Sequence, residues 1–146
     1  MTPTNHRPGF EGGTNIALKV PPHQWEQTVA FYRDTLGLEE IDNPYTEGPP
    51  SAGFAFGANR LWVDRVPALS QAELWLELTT SDTTAAAEHL AAAGVTRCDE
   101  IEPLGESPAF WIASPAGIVH LVAAPEAPAG RHSPNAQPDP SPNALF

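Results

Sequence analysis

The chain reads as one unit written twice. Asn15-Ile-Ala-Leu-Lys-Val20 alternates, with Ile16, Leu18 and Val20 on one face, and Glu73-Leu-Trp-Leu-Glu-Leu78 alternates in the same way; their first residues lie 58 apart. Gly37 and Gly94, each placed to stop a helix, lie 57 apart. Gly57 and Pro115, which open two late turns, lie 58 apart. Strand starts, helix ends and turns sharing nearly one offset predict a duplicated βαβββ unit.

The punctuation inside each copy supports this. In the first copy Pro21 and Pro22 end the strand and suit a helix start. Trp25, Val29, Tyr32 and Leu36 follow at spacings of four, three and four, an amphipathic stripe. A strand over Leu38–Ile41 comes next, then a loop marked by Pro49, Pro50 and Gly53. Two further strands, Phe54–Phe56 and Leu61–Val66, flank Gly57-Ala58-Asn59. In the second copy Ser81 or Asp82 caps a helix running to Ala93. A strand near Arg97–Ile101 follows, then Phe110–Ala113 and Ile118–Ala123 around Pro115-Ala116-Gly117. The expected modules are about 14–67 and 72–124, one domain over 14–124. Residues 1–13, rich in Gly and Pro, read as a flexible arm. Residues 125–146, with six prolines, read as a disordered tail.

Composition narrows the function classes. Eighteen acidic residues stand against seven basic ones, a net charge of −11, and Lys19 is the only lysine. Such a field repels phosphate backbones and anionic membrane surfaces, and it tolerates a cationic ligand. No apolar run approaches the roughly 20 residues of a membrane span, and residues 1–13 lack the apolar stretch of a signal peptide. A soluble, cytoplasmic protein is expected. The single cysteine, Cys98, allows neither an intrachain disulfide nor a Cys-cluster zinc site.

Each helix must bury its stripe against one sheet face. Carrying the offset of 58 through both copies, Leu61, Val63, Val119 and Leu121 join Ile16, Leu18, Leu74 and Leu76 on the helix side. The opposite faces then carry Asn15, Ala17 and Lys19; Arg60, Trp62 and Asp64; Glu73, Trp75 and Glu77; and Ile118, His120 and Val122. Mostly apolar walls with sparse ionisable groups are the composition of a concave small-molecule site. Close packing of the tryptophans at a sheet or dimer interface is the plainer alternative.

Phe31-Tyr32-Arg33-Asp34-Thr35-Leu36-Gly37-Leu38 resembles the helix ending of the vicinal oxygen chelate superfamily, which contains glyoxalase I, bleomycin resistance proteins and extradiol dioxygenases. The stretches AAAEHLAAAGV and FWIASPAGIVHLVAAP resemble its closing helix, turn and last strand, with Ser114-Pro115-Ala116-Gly117 replacing the usual Asp-Pro-Asp/Glu-Gly. The resemblance covers about residues 14–124. It implies an α+β fold in which two βαβββ modules form a curled mixed sheet. It also implies four metal-ligand positions, which fall here on Asn15, Trp62, Glu73 and His120. Indole cannot ligate, and the remaining histidines, His6, His23, His89 and His132, lie in the tails or at the helices. No cofactor is therefore expected; a divalent metal, if bound, would take Asn15, Glu73 and His120.

Three readings follow. The first is a metal-independent binding protein of the antibiotic-sequestering type. Asn15, Lys19, Arg60, Trp62, Trp75, Glu77 and Trp111 would then meet a planar or cationic ligand. The second is a lyase, isomerase or cyclase, or a dioxygenase-like enzyme, with Glu73 and His120 as its catalytic pair, with or without a metal. The third is an accessory domain that only dimerises. A homodimer is expected, with the cup built either within one chain or across two.

Overall fold

The computed structural model describes residues 7–44 and 49–125. Their elements follow the duplicated order. The first copy comprises β2 (Asn15–Val20), α1 (Pro22–Ala30), β3 (Glu40–Ile41), β4 (Ser51–Phe56) and β5 (Asn59–Arg65). The second comprises β6 (Glu73–Thr79), α2 (Thr83–Ala92), β7 (Thr96–Arg97), β8 (Phe110–Ala113) and β9 (Val119–Ala123). A short β1 (Glu11–Gly12) precedes both. The strand order is β3-β4-β5-β2-β6-β9-β8-β7, with β1 beside β6. The α+β, two-module mixed sheet is thus present. Its halves join where β2 and β6 pair antiparallel, Ala17 opposite Trp75 and Lys19 opposite Glu73. The sheet is continuous within one chain.

The helices cover one face. Val29 of α1 packs with Val20, Ala52, Phe54, Leu61 and Val63, and the Trp25 indole donates to the Val63 carbonyl at 3.0 Å. Ala86 of α2 packs with Phe110, Ile112 and Val122. Asp82 is the N-cap of α2, accepting from the Ala85 amide at 2.9 Å.

Four sequence expectations need correction. After Ala30 the first helix widens into a π turn over Phe31–Thr35, closed by the Leu36 amide on the Phe31 carbonyl at 2.9 Å. The extra residue rotates Leu36 outward, 51% exposed, and Leu38 packs against the core instead. Arg97–Ile101 is not one strand. The strand ends at Arg97, and a 3-10 turn occupies Asp99–Ile101. Residues 10–13 join the fold, because β1 pairs with Leu78 and Thr79, Phe10 packs against the α2 core and the Gly13 amide donates to the Glu77 carbonyl. Residues 1–6 of the expected arm and 126–146 of the expected tail lie outside the described residues.

The fourth correction matters most. In β9, Val122 packs under α2 while Leu121 packs on the other face with Ala17, Trp75 and Trp111. His120, opposite Ile112 and beside Leu76, shares the face of Val122. The offset of 58 fails here because the two hairpins differ. Phe56 pairs with Asn59 around residues 57–58, whereas Ala113 pairs with Val119 around residues 114–118. Loops of two and five residues differ by an odd number, and strand side chains alternate with period two, so the last strand is turned over.

Candidate functional site

The face away from the helices is built on β2, β5, β6, β8 and β9, and tryptophans dominate it. Trp62 lies over Gly53, where a Cβ would come within 2.4 Å of the ring. Trp75 and Trp111 meet edge to face, their centroids 5.2 Å apart. All three are buried, and all three indole N–H groups are bonded. Trp62 donates to Asn15 Oδ1 at 2.8 Å, Trp75 to Glu73 Oε1 at 2.9 Å, and Trp111 to the Glu102 carbonyl at 2.9 Å.

Two polar clusters accompany them. Where the chain enters β2, residues 13–16 stand opposite only residues 76–77, so the strands part. The Glu77 carboxylate fills the gap, accepting from the Asn15 backbone amide at 3.0 Å and from its side-chain Nδ2 at 3.3 and 3.4 Å. A Cβ at Gly13 would stand 2.2 Å from Glu77 Oε1, so any other residue there would displace that side chain. At the other end of β2, Lys19 is 3% exposed. Its ammonium lies 2.8 Å from Asp64 Oδ2 and 3.1 Å from Glu102 Oε2, over the Trp75 ring at 4.3 Å. Ser51 donates to the second oxygen of Asp64. Glu102 Oε1 is buried without a hydrogen-bond partner. Burial pushes the Glu102 carboxyl above its ordinary range, and Lys19 opposes that shift without cancelling it.

The sequence-derived candidates are therefore divided. Asn15, Lys19, Trp62, Trp75, Glu77 and Trp111 lie on this face, and Glu73 lies on it at the edge, solvent-exposed. Arg60 is half-buried on the same face of β5 as Trp62, and its backbone amide donates to Thr14. His120 does not join them. Its ring lies on the helix side, Nδ1 3.0 Å from the Ile118 carbonyl, in a cleft of about 220 Å³ shared with Ile16, Asn59 and Leu76 and reaching Gly13, Asn15 and Glu77 where β2 and β6 part. Glu73 and His120 consequently do not form a pair. Sequence reasoning missed Ser51 and Glu102. Ser51 had a readable signal in its alternation with Gly53 and Ala55, and Glu102 sits in an aperiodic loop.

A divalent metal does not fit the positions that the resemblance assigns to one. Asn15 Oδ1 is taken by the Trp62 N–H, indole nitrogen is a donor, Glu73 Oε1 is taken by Trp75, and His120 faces away. Among the described residues no group of three or more His, Cys, Asp or Glu side chains is placed to hold a metal ion. Nor, among them, is any helix long and apolar enough to cross a membrane.

Comparison with known proteins agrees with this architecture. A family model described as a glyoxalase-like domain matches residues 16–123. No curated protein sequence matches significantly. Among solved structures, a hypothetical protein from Bacillus halodurans C-125 superposes with a TM-score of 0.57 at 13% identity, covering 83% of this chain and 98% of that one. Methylmalonyl-CoA epimerase from Streptomyces coelicolor, in complex with 2-nitronate-propionyl-CoA, gives 0.55 at 18%, covering 82% and 100%. Homoprotocatechuate 2,3-dioxygenase from Brevibacterium fuscum gives 0.54 at 16%, covering 87% and 36%. With the matched domain spanning both modules, the chain belongs to the glyoxalase-like family of the vicinal oxygen chelate superfamily.

Proposed function

We propose that this protein binds a small organic molecule on its concave, tryptophan-lined face without a metal, in the manner of superfamily members that sequester antibiotics. The observation that carries the reading is the Asn15–Trp62 hydrogen bond. It occupies two of the four positions a metal would need and turns them into a rigid aromatic wall. Trp62, Trp75 and Trp111, buried in this structure, would offer planar surface once the chain covering them moves aside, and the acidic surroundings favour a cation. Binding within a cytoplasmic homodimer, with no nucleic-acid or membrane partner, belongs to the same reading; a monomeric mass in sedimentation would remove the dimer from it.

The test is tryptophan fluorescence titrated with a panel of planar compounds, cationic and neutral. A saturable change is expected, weakened about tenfold, or about 1.4 kcal/mol, by Trp75→Leu. A flat response across the panel would refute the proposal. Divalent nickel, manganese, iron or zinc should leave the melting temperature unchanged, because binding to the native state alone would raise it; a rise with any of them counts against the metal-free reading.

Glu102 favours a second reading, a lyase or isomerase that moves a proton. A buried carboxyl held above its ordinary range by desolvation, with one oxygen outside any hydrogen bond, suits a group that takes up and gives back a proton. Its test is solvent deuterium entering methylmalonyl-CoA in deuterated water. Incorporation abolished by Glu102→Gln supports it, and no incorporation by the wild type refutes it for that substrate.

A further inference from the structure

The concave face is roofed. Between the 3-10 turn and β8 the chain crosses the second module, and Cys98, Leu104 and Ala109 pack onto Ala17, Trp75, Trp111 and Leu121. Trp75 is left 7% exposed, and Ala17 and Trp111 have no exposure. A ligand therefore reaches these rings only if residues 99–109 move.

The roof is irregular chain. Within it Ser107 N bonds to Leu104 O, and Ala109 N to Ser107 Oγ; Gly105 has φ +61° between Pro103 and Pro108. Its N-terminal part is tied to β8 by Asp99 Oδ1, which accepts from the Trp111 amide at 2.9 Å, and by the Glu102 carbonyl, which accepts from the Trp111 indole at 2.9 Å. The Lys19–Glu102 ion pair, whose residues are 83 apart in sequence, ties it across the seam to the first module.

That contact is unbalanced. One ammonium serves two carboxylates, Asp64 and Glu102, with side-chain exposures of 3% for Lys19 and 13% for each acid. Asp64 has both oxygens bonded, to Lys19 and to Ser51. Glu102 has one oxygen bonded and one orphaned. Burying a charge that is half-satisfied costs more than one good contact returns.

We propose that residues 99–109 are a strap over the concave face, latched by Lys19–Glu102 and made easy to release by the half-satisfied carboxylate of Glu102. The inference rests on the concave face being the ligand site. Removing the charge of Glu102 leaves Lys19 and Asp64 as a balanced pair, so the strap closes more firmly. The direction of the Glu102 shift agrees. A carboxyl whose value is higher in the closed state than in a hydrated, open strap takes up a proton on closing. Closure is then favoured at acid pH and weakened as pH rises through the closed-state value. The charged groups around Glu102 are Lys19 on β2 and Asp64 on β5, with Glu73 on β6 next to Lys19 and Asp99 and Glu100 on the strap itself.

Hydrogen exchange read by mass spectrometry on the full chain tests this without any ligand. In the wild type, amides of the strap should exchange about tenfold or more faster than those of β8, through local opening. Glu102→Gln should slow strap exchange about fivefold and leave β8 and β4 unchanged. Lys19→Met, which strands two buried carboxylates, should speed it. Faster strap exchange in Glu102→Gln, or strap and β8 amides exchanging together in the wild type, overturns the proposal. If the variants fold poorly, the wild type still decides. Corrected for chemical exchange, strap opening should rise as pH climbs above the ordinary carboxyl range, and a flat or falling profile overturns it. A failed ligand screen with these results intact would sink the binding proposal and leave the strap standing.

Discussion

At the scale of single residues, small side chains decide where the large ones lie. Trp62 can lie over Gly53 because that residue offers no side chain beneath it. Gly53→Ala must move a buried ring that is also hydrogen-bonded to Asn15, and we expect a loss of about 1–3 kcal/mol, read as a lower urea midpoint with an unchanged slope. Gly13 has the same relation to Glu77. These residues also show how far the sequence alone could be read. Asn15, Lys19, Trp62, Trp75 and Glu77 were legible as one face because strict alternation leaves little choice of side. Trp111 was legible only as an aromatic in the right strand. Glu102 was not legible, because a loop has no period from which to infer a direction, and its role depends on meeting Lys19 from the far half of the chain. The hydrogen bond that joins Asn15 to Trp62 was equally hidden, since spacing shows a shared face but not a shared proton.

At the scale of elements, the strands and helices followed from alternation and punctuation, and the errors arose where one residue more or less changed the geometry. A π turn swung Leu36 outward. A hairpin loop longer by an odd count put His120 on the helix side and separated it from Glu73. Periodic patterns survive duplication, but loop lengths drift, and for a strand the parity of the drift is what matters. The second helix is short and alanine-rich, so its cap carries weight. Asp82→Ala should cost about 1 kcal/mol, lowering the thermal midpoint followed by circular dichroism. An equally stable variant would show that packing of Ala86 on Phe110, Ile112 and Val122 holds α2 unaided.

At the scale of the molecule, charge and connectivity set the remaining behaviour. A net charge of −11 on 146 residues repels itself in the compact state. Raising salt from near zero to about 0.15 M, where the screening length is about 8 Å, should raise the melting temperature. The Lys19 cluster, being buried, is screened too little to reverse that trend. A melting temperature that falls with salt would mean that surface ion pairs outweigh the repulsion. The pairing of β2 with β6 has a separate consequence. Both walls of the hollow belong to one polypeptide, so dilution cannot pull them apart. If the hollow is the proposed binding site, each molecule should carry a complete one whether solitary or assembled, and saturation should track the free concentration of the guest rather than the amount of protein in the tube.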